Sequence, residues 1–211
     1  MPGCAVLRLT LIRWESSEMK QVYSFDVVHD AQSLFRKLLQ SMANPFQKSN
    51  IDKEAGGFQS DLGAVLAVGA TLMDNEITYY VEKNVELAQQ LHAYTLAAPA
   101  DYKKADFIYL TGMLNYENIR QLLSEAKQGT LADPQQSCTF VIWCPQLDGE
   151  TAAEVSGPGV DGTLEVQTTE YIKTICRLRQ EVQQEYPCGV DLIFISAENE
   201  LMAVPRLCKV K

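Results

Sequence analysis

Three glycines, Gly157, Gly159 and Gly162, have the spacing G-x-G-x-x-G within the string "EVSGPGVDGT". In dinucleotide-binding folds this spacing follows a strand and opens a helix, so that free backbone N–H groups face the phosphates. Here the next four residues, "TLEV", alternate as a strand does, and Pro158 removes one of the required N–H groups. Glu181, near the spacing expected for a ribose-binding acidic residue, falls inside a helical pattern instead of ending a strand. The glycines are therefore interpreted as a turn between two strands.

Other patterns for a self-sufficient active site are missing from the sequence. A phosphate-binding P-loop needs a Gly-Lys dipeptide and a serine hydrolase elbow needs G-x-S-x-G, and neither string occurs. The two histidines, His29 and His92, do not have the clustered spacing of a zinc site. Lys83 and Lys173 lie beside polar residues and are expected to be solvated, which does not suit covalent lysine catalysis. The sequence therefore predicts no catalytic residue, and neither pyridoxal phosphate nor a transition metal as cofactor.

The cysteines carry no metal-binding pattern either. There are six, without a C-x-x-C pair, at Cys4, Cys138, Cys144, Cys176, Cys188 and Cys208. Clustered cysteines would be needed for an iron–sulfur site. Two of them bracket the apolar string "TFVIW", so we interpret the cysteines as buried free thiols of a cytosolic protein.

Helical and strand-like patterns alternate along the chain. Five helices are predicted. The first follows an N-cap at Asp30, the second begins near Ser60, and the third follows an N-cap at Asn84. The fourth begins at Asn118 with a C-terminal cap at Gly129, and the fifth begins at Tyr171. In the first of them, Leu34, Phe35, Leu38, Leu39 and Met42 are expected to form one apolar stripe. Strands are predicted at "ITYYV", "DFIYL" and "CTFVIWC", the last as a central strand, and "VDLIFI" and "LMAV" are predicted to form an antiparallel hairpin. These patterns predict an α/β fold, a mixed sheet with helices on both faces in three layers.

Length and charge narrow the class of protein. The chain has 211 residues with 46% hydrophobic content, which favours one domain, residues 25–211, after an N-terminal extension of uncertain order, residues 1–24. The net charge is −9 without a basic run, which argues against a nucleic-acid or anionic-membrane partner. No apolar run is long enough for a membrane span and no secretory signal is recognisable, so a cytoplasmic protein is expected.

Several strings, in order along residues 26 to 208, resemble the PhnH subunit family of the bacterial carbon–phosphorus lyase system. "DAQSLFRKLLQSMANP" resembles the amino-terminal helix of that family, and "GPGV" resembles its Gly-x-Gly-Ile turn, with Val160 in place of Ile. "PCGVDLIFISAENELMAVPR" is similar to its closing strand, turn and Pro-Arg, and "GT" followed by "DP" matches its middle. The motif positions with a structural or binding role by this resemblance are Asp30, Gly157, Gly159, Gly189, Asp191, Pro205 and Arg206.

The resemblance implies function by assembly. PhnH-type proteins belong to a core complex with PhnG-, PhnI- and PhnJ-type subunits and form homodimers. Together with the PhnG, PhnI and PhnL types, they are required to displace adenine from ATP by an alkylphosphonate, which yields a ribose 1-phosphonate 5-triphosphate. The family fold resembles the large domain of pyridoxal-phosphate transferases without the cofactor site. The resemblance thus implies an accessory subunit that needs no cofactor of its own.

The hairpin itself predicts an ion pair between Asp191 and Arg206. With a turn near residue 198, the residue opposite Asp191 is Pro205 or Arg206, and Asp191 shares a strand face with apolar residues. A buried carboxylate needs a partner, and the planar guanidinium suits it. The pair is interpreted either as a latch for the last strand or as a means of orienting Arg206 toward a phosphate or a partner protein. The alternative function is a stand-alone enzyme with a small-molecule site formed by Asp191, Arg206 and His29.

Overall fold

A computed structural model describes residues 25–183 and 185–211 of the chain. The predicted N-terminal extension and Cys4 therefore lie outside the described residues. The helices are α1 His29–Ala43, α2 Asp52–Ala55, α3 Gly63–Leu72, α4 Val85–Thr95, α5 Tyr116–Glu125 and α6 Glu170–Val182. The strands are β1 Ser49–Asn50, β2 Thr78–Glu82, β3 Ala98–Pro99, β4 Phe107–Leu110, β5 Thr139–Cys144, β6 Thr151–Ser156, β7 Leu164–Thr168, β8 Asp191–Ser196, β9 Glu200–Val204 and β10 Lys209–Val210.

The predicted α/β fold with a mixed sheet is confirmed. Seven strands form one sheet in the order β1-β9-β8-β5-β4-β2-β3, in which β5, β4, β2 and β3 run parallel to β8 while β9 and β1 alternate in direction. Strand β5 is central, as its continuous apolar sequence predicted. The predicted terminal hairpin is β8–β9, with Leu192 opposite Val204. Extending this register by one residue places Asp191 opposite Pro205.

Apolar side chains of the central strands divide into two clusters. Alternate residues such as Ile108, Phe140 and Leu192 pack in one cluster with apolar residues of α5 and α6. The residues between them, such as Tyr109 and Val141, pack in a second cluster with residues of α1, α2, α3 and α4. This division follows from the two-residue period of a strand, because successive side chains point to opposite faces of the sheet.

The glycine-rich stretch is a turn between two strands, as predicted, but the strands form a separate small sheet. β6 and β7 pair antiparallel on either side of the turn, and β10 adds to the other edge of β6. The alternation of the sequence correctly indicated both strands. It did not indicate that the last strand of the chain joins them, because β10 has only two residues and its pairing is long-range.

Three local predictions are wrong. The first helix begins at His29 rather than after Asp30. The side chain of Asp26 accepts hydrogen bonds from the backbone N–H groups of Val28 and His29. The side chain of Asp30 accepts a hydrogen bond from the backbone N–H of Asp26. The cause is local, because an Asx turn at Asp26 already satisfies these N–H groups. Gly129 does not cap α5, which ends at Glu125, although it has a φ of 78° that favours glycine.

The third wrong prediction concerns the apolar stripe of α1. Leu34 and Leu38 are buried, whereas Phe35 and Leu39 are 45% and 53% exposed, because they lie at the next position around the helix.

The cysteines within the described residues are buried and free, as predicted. In the described part of the chain, no helix is long and apolar enough to cross a membrane.

Candidate functional site

The predicted ion pair is present at the root of the β8–β9 hairpin. Arg206 Nη2 lies 2.5 Å from Asp191 Oδ2, and Arg206 Nε donates to Oδ1 over 3.3 Å. The backbone N–H of Arg206 donates to the same Oδ1 over 2.7 Å. The side chains are only 9% and 19% exposed, so the prediction that Asp191 is buried and needs a partner is confirmed. The carboxylate therefore binds both the side chain and the backbone of Arg206.

Arg206 also joins the hairpin to the loop that precedes β5. Its Nη1 donates to the carbonyl oxygen of Pro134. Gly129 packs against the same loop, since a Cβ at Gly129 would lie 2.6 Å from that carbonyl oxygen. The "GT" and "DP" strings are linked by a hydrogen bond from Thr130 N–H to the carbonyl oxygen of Asp133. The middle motif thus contacts the closing motif directly.

The glycine turn fits between the end of α1 and the segment after β9. Gly157 has a φ of 126°, and a Cβ there would lie 2.8 Å from the carbonyl oxygen of Leu207. Gly159 has a φ of 85°, and a Cβ there would collide with the carbonyl oxygen of Ala43 and lie 2.8 Å from Pro45 Cδ. Only glycine combines these backbone angles with such close approach. The turn is thus a packing element between two distant parts of the chain.

Gly189 positions the entry into β8. Its φ is 146°, and its N–H donates to the carbonyl oxygen of Gln128 over 2.9 Å. A Cβ at this position would lie 2.9 Å from the side-chain nitrogen of Gln183, whose amide in turn donates to the carbonyl oxygen of Cys188. The glycine therefore lets the loop after α6 close tightly before Asp191.

Six of the seven family-motif positions thus meet at one place, which we call the hairpin-root cluster. Its residues are Gly157, Gly159, Gly189, Asp191, Pro205 and Arg206. Asp30 does not belong to it. Met42, near the C-terminal end of α1, lines a cavity beside Arg206, and Asp30 lies twelve residues earlier on the same helix, about 18 Å away at 1.5 Å per residue. The structure therefore separates Asp30 from the other motif positions.

Arg179 is a member of this region that the sequence interpretation missed. It is 1% exposed, and its guanidinium donates to the carbonyl oxygens of Val204, Pro205 and Cys208. Burial lowers the pKa of Arg179. A signal was available, because Arg179 lies four residues after Ile175 on the buried face of α6, where an apolar residue would be expected. Its three carbonyl bonds fix the path of the chain from β9 to β10.

A groove with many prolines runs beside the cluster, and we call it the proline groove. It consists of two neighbouring cavities of about 430 and 420 Å³, which share Pro158 and Leu207. Their other lining residues are Met42, Pro134, Gln135, Gln180, Gln183, Tyr186, Pro187, Asp191, Pro205, Arg206 and Lys209. The lining contains neither a histidine nor a cysteine, and its carboxylate is occupied by Arg206. This arrangement suits contact with an apolar partner surface better than acid–base chemistry.

A separate, smaller cavity lies where open α/β sheets often bind ligands. Its volume is about 320 Å³, and it lies between the carboxyl ends of β2 and β4, where the chain leaves the two strands in opposite directions. Asn84 caps α4, as predicted, and donates to Thr111 Oγ1 over 3.1 Å. Glu82 contacts Lys83 at 3.2 Å and raises the pKa of Tyr80 to about 12 through a hydrogen bond. The polar groups of this cavity therefore satisfy one another.

The remaining candidate residues stay apart from the hairpin-root cluster. His29 is exposed and lies thirteen residues before Met42 on α1, about 20 Å from the proline groove. His92 is exposed, and its Nδ1 lies 2.9 Å from the carbonyl oxygen of Ala97. Lys83 is exposed, and Lys173 donates to the carbonyl oxygen of Ala152. Across residues 25–183 and 185–211, no group of three or more His, Cys, Asp or Glu side chains is placed to hold a metal ion.

Fold and site together define an α/β protein whose motif residues form a packed cluster beside the proline groove. Comparison with protein families places it more closely: the family described as "Bacterial phosphonate metabolism protein (PhnH)" matches residues 24–211. The chain belongs to this family, as the ordered strings in the sequence implied. It is also similar to a protein of Stutzerimonas stutzeri named "Putative C-P lyase subunit protein HtxG". The two are 26% identical over 182 residues, which cover 83% of each chain.

Proposed function

We propose that this protein is an accessory subunit of the carbon–phosphorus lyase core complex in organic phosphonate catabolism. In that role it is needed, with PhnG-, PhnI- and PhnL-type partners, for the transfer of ribose triphosphate from ATP to an alkylphosphonate with release of adenine. Membership in the PhnH family and the similarity to HtxG support this assignment. The later radical cleavage of the carbon–phosphorus bond belongs to another subunit.

One observation carries the accessory role: the two charged motif side chains, Asp191 and Arg206, bind each other. Asp191 is occupied by the side chain and backbone of Arg206, and Arg206 is shared with Pro134. A general base would need a carboxylate free to approach a substrate, and Asp191 is held by Arg206 instead. The alternative of a stand-alone enzyme is not favoured, because His29 lies about 20 Å along α1 from Met42, which lines the cavity beside the pair.

The thiols support the same role. Burial raises the pKa of Cys144 and of Cys176 to about 12, and it also raises the pKa of Cys138. A nucleophilic cysteine needs the thiolate form at neutral pH, which a raised pKa disfavours. These buried cysteines therefore act as apolar packing residues.

The finer features of the proposal come from the family resemblance. The partners would be PhnG-, PhnI- and PhnJ-type subunits together with a second copy of the chain, in the cytoplasm. Residues 25–211 would form one domain after an extension of residues 1–24. The two apolar clusters, one on each side of the central strands, support a three-layer arrangement like that of the large domain of pyridoxal-phosphate transferases. In this proposal the chain needs neither pyridoxal phosphate nor a metal.

The proposal is tested by reconstitution with purified partner subunits. We expect no release of adenine from ATP and methylphosphonate by the isolated chain, no release by the partners alone, and release when they are combined. Chromatographic quantification of adenine measures all three mixtures. If the isolated chain releases adenine as fast as the full mixture, the accessory role is wrong, and if its omission changes nothing, membership in this reaction is wrong.

A further inference from the structure

We propose that the proline groove is the surface on which another protein subunit of the complex docks. The occupant would be a segment that presents an aromatic or aliphatic side chain next to a carboxylate. This inference rests on the proposed function, since it assumes that the chain works inside a multi-subunit assembly. It adds the place of contact and the chemistry of the partner.

The shape of the groove is the first observation. Its two cavities lie side by side, with Pro158 and Leu207 lining both of them. Tyr186 lines one cavity and is 74% exposed, although a tyrosine ring contributes a large apolar area. Exposed aromatic rings beside concave apolar surface are a feature of protein interfaces.

The prolines are the second observation. Pro134, Pro158, Pro187 and Pro205 line the larger cavity. Proline has no backbone N–H, so a partner can cover these residues without leaving a donor unsatisfied. The pyrrolidine ring also has little conformational freedom to lose, which reduces the entropy cost of binding. A surface of this composition favours dry contact with a protein over binding of a polar small molecule.

The rigid support behind the groove is the third observation. Arg179 holds the carbonyl oxygens of Val204, Pro205 and Cys208, while Arg206 holds the loop at Pro134. Loops that are already fixed in shape bind with less loss of freedom than mobile loops do. The hairpin-root cluster therefore preorganises the groove, which gives the packed motif residues a purpose beyond stability.

Charge defines the partner more closely. Arg206 and the exposed Lys209 border the groove on a chain with a net charge of −9. Three of the five N–H groups of Arg206 bind Asp191 and Pro134, so two take no part in these bonds. A carboxylate on the partner would be attracted to this edge and repelled by much of the remaining acidic surface. The partner segment is therefore expected to be acidic beside its apolar anchor.

The test compares groove variants with matched variants elsewhere, in the complex assembled from the PhnG-, PhnI- and PhnJ-type subunits. The groove variants are Tyr186→Ser with Leu207→Ser, and separately Lys209→Glu. The control variants are Val85→Ser, at a residue 72% exposed near the smaller cavity, and Lys104→Glu, at another exposed position. Thermal unfolding of each isolated variant confirms that the fold is retained.

We expect the double groove variant to bind the partner subunits at least tenfold more weakly, as for other buried aromatic anchors. Lys209→Glu should weaken binding and reduce its dependence on salt, while both controls bind as the original chain does. Unchanged binding by the groove variants would overturn the proposal. Loss of self-association with unchanged partner binding, seen by sedimentation, would also overturn it, since the groove would then join two copies of the chain.

Failure of the groove and failure of the proposed function give different results. If the unaltered chain neither binds the partner subunits nor supports adenine release, the proposed function is wrong. If the unaltered chain does both and the groove variants do both equally well, only the groove is wrong.

Discussion

Two arginines fix the end of the chain by different physical means. Arg206 binds a carboxylate, so its positive charge is neutralised at the hairpin root. Arg179 is buried against three carbonyl oxygens, so its charge is balanced by backbone dipoles. The first arrangement has charge-assisted bonds from two guanidinium nitrogens to the two carboxylate oxygens. The second needs no acidic residue, but it depends on the backbone keeping its shape.

The first prediction concerns Asp191. Replacing Asp191 with Ala should lower the free energy of unfolding by about 1–3 kcal/mol, because Arg206 would lose its partner and its backbone N–H would lose an acceptor. Urea unfolding followed by circular dichroism measures the change. Asp148→Ala is the control, since Asp148 is 69% exposed and its contact with Lys48 should contribute little. Equal stability of the Asp191 variant and the original chain would show that the pair is not a latch.

The ion pair could be predicted from the sequence, and the contacts of Arg179 could not. Asp191 and Arg206 are related by the register of a hairpin whose turn is visible in the sequence. Arg179 binds residues 25 to 29 positions further along the chain, and nothing local fixes that distance. An arginine on an amphipathic helix is usually solvated, so its position among apolar residues of α6 was the available hint.

At the scale of elements, the glycine turn connects parts of the chain that local patterns treat separately. The alternation around the glycines correctly predicted β6 and β7. Gly159 contacts the end of α1, and Gly157 contacts the segment after β9. Both contacts join residues that are far apart in the sequence, so no local sequence pattern predicts them. The wrong cap at Gly129 has the same origin, because that glycine serves close approach to Pro134 rather than the end of α5.

The second prediction separates close packing from backbone strain in this turn. Gly159 and Gly162 have φ values of 85° and 71°, so alanine is strained at both positions. Only Gly159 is crowded by Ala43 and Pro45, whereas open space surrounds the Cβ position of Gly162. We expect Gly162→Ala to lower the free energy of unfolding by about 1–2 kcal/mol and Gly159→Ala by about 1–3 kcal/mol more, through overpacking. Equal losses in urea unfolding would show that the contact with α1 is unimportant.

At the scale of the whole molecule, the periodicity of the sequence was sufficient for the fold class. Continuous apolar strands and amphipathic helices alternate, which correctly predicted a mixed sheet with a terminal hairpin. The strand order and the separate small sheet were not predicted, because they depend on pairings between distant segments such as β10 and β6. The family resemblance supplied the motif positions, and only the structure showed that six of them meet.

Ion pairs between distant elements also make stability depend on pH. Glu54 of α2 is fully buried, and it accepts hydrogen bonds from Lys37 and Ser33 of α1 over 2.9 and 2.8 Å. Burial by itself raises the pKa of Glu54, but these hydrogen bonds outweigh it and hold the pKa below the ordinary value of 4.5. Asp106 behaves in the same way through Lys127 and Thr78.

The third prediction follows from the sign of these shifts. Because the pKa of Glu54 is lower in the folded state than in the unfolded chain, its ionised form stabilises the fold above about pH 4.5, and this contribution disappears as the pH falls through the folded-state pKa. Glu54→Gln keeps the shape but loses the charge, so we expect it to lower the free energy of unfolding at pH 7 by about 1–3 kcal/mol. The difference from the original chain should shrink steadily below pH 4.5, as measured by urea unfolding at several pH values. A difference that stays constant down to acid pH would mean that the ion pair between α1 and α2 does not stabilise the fold.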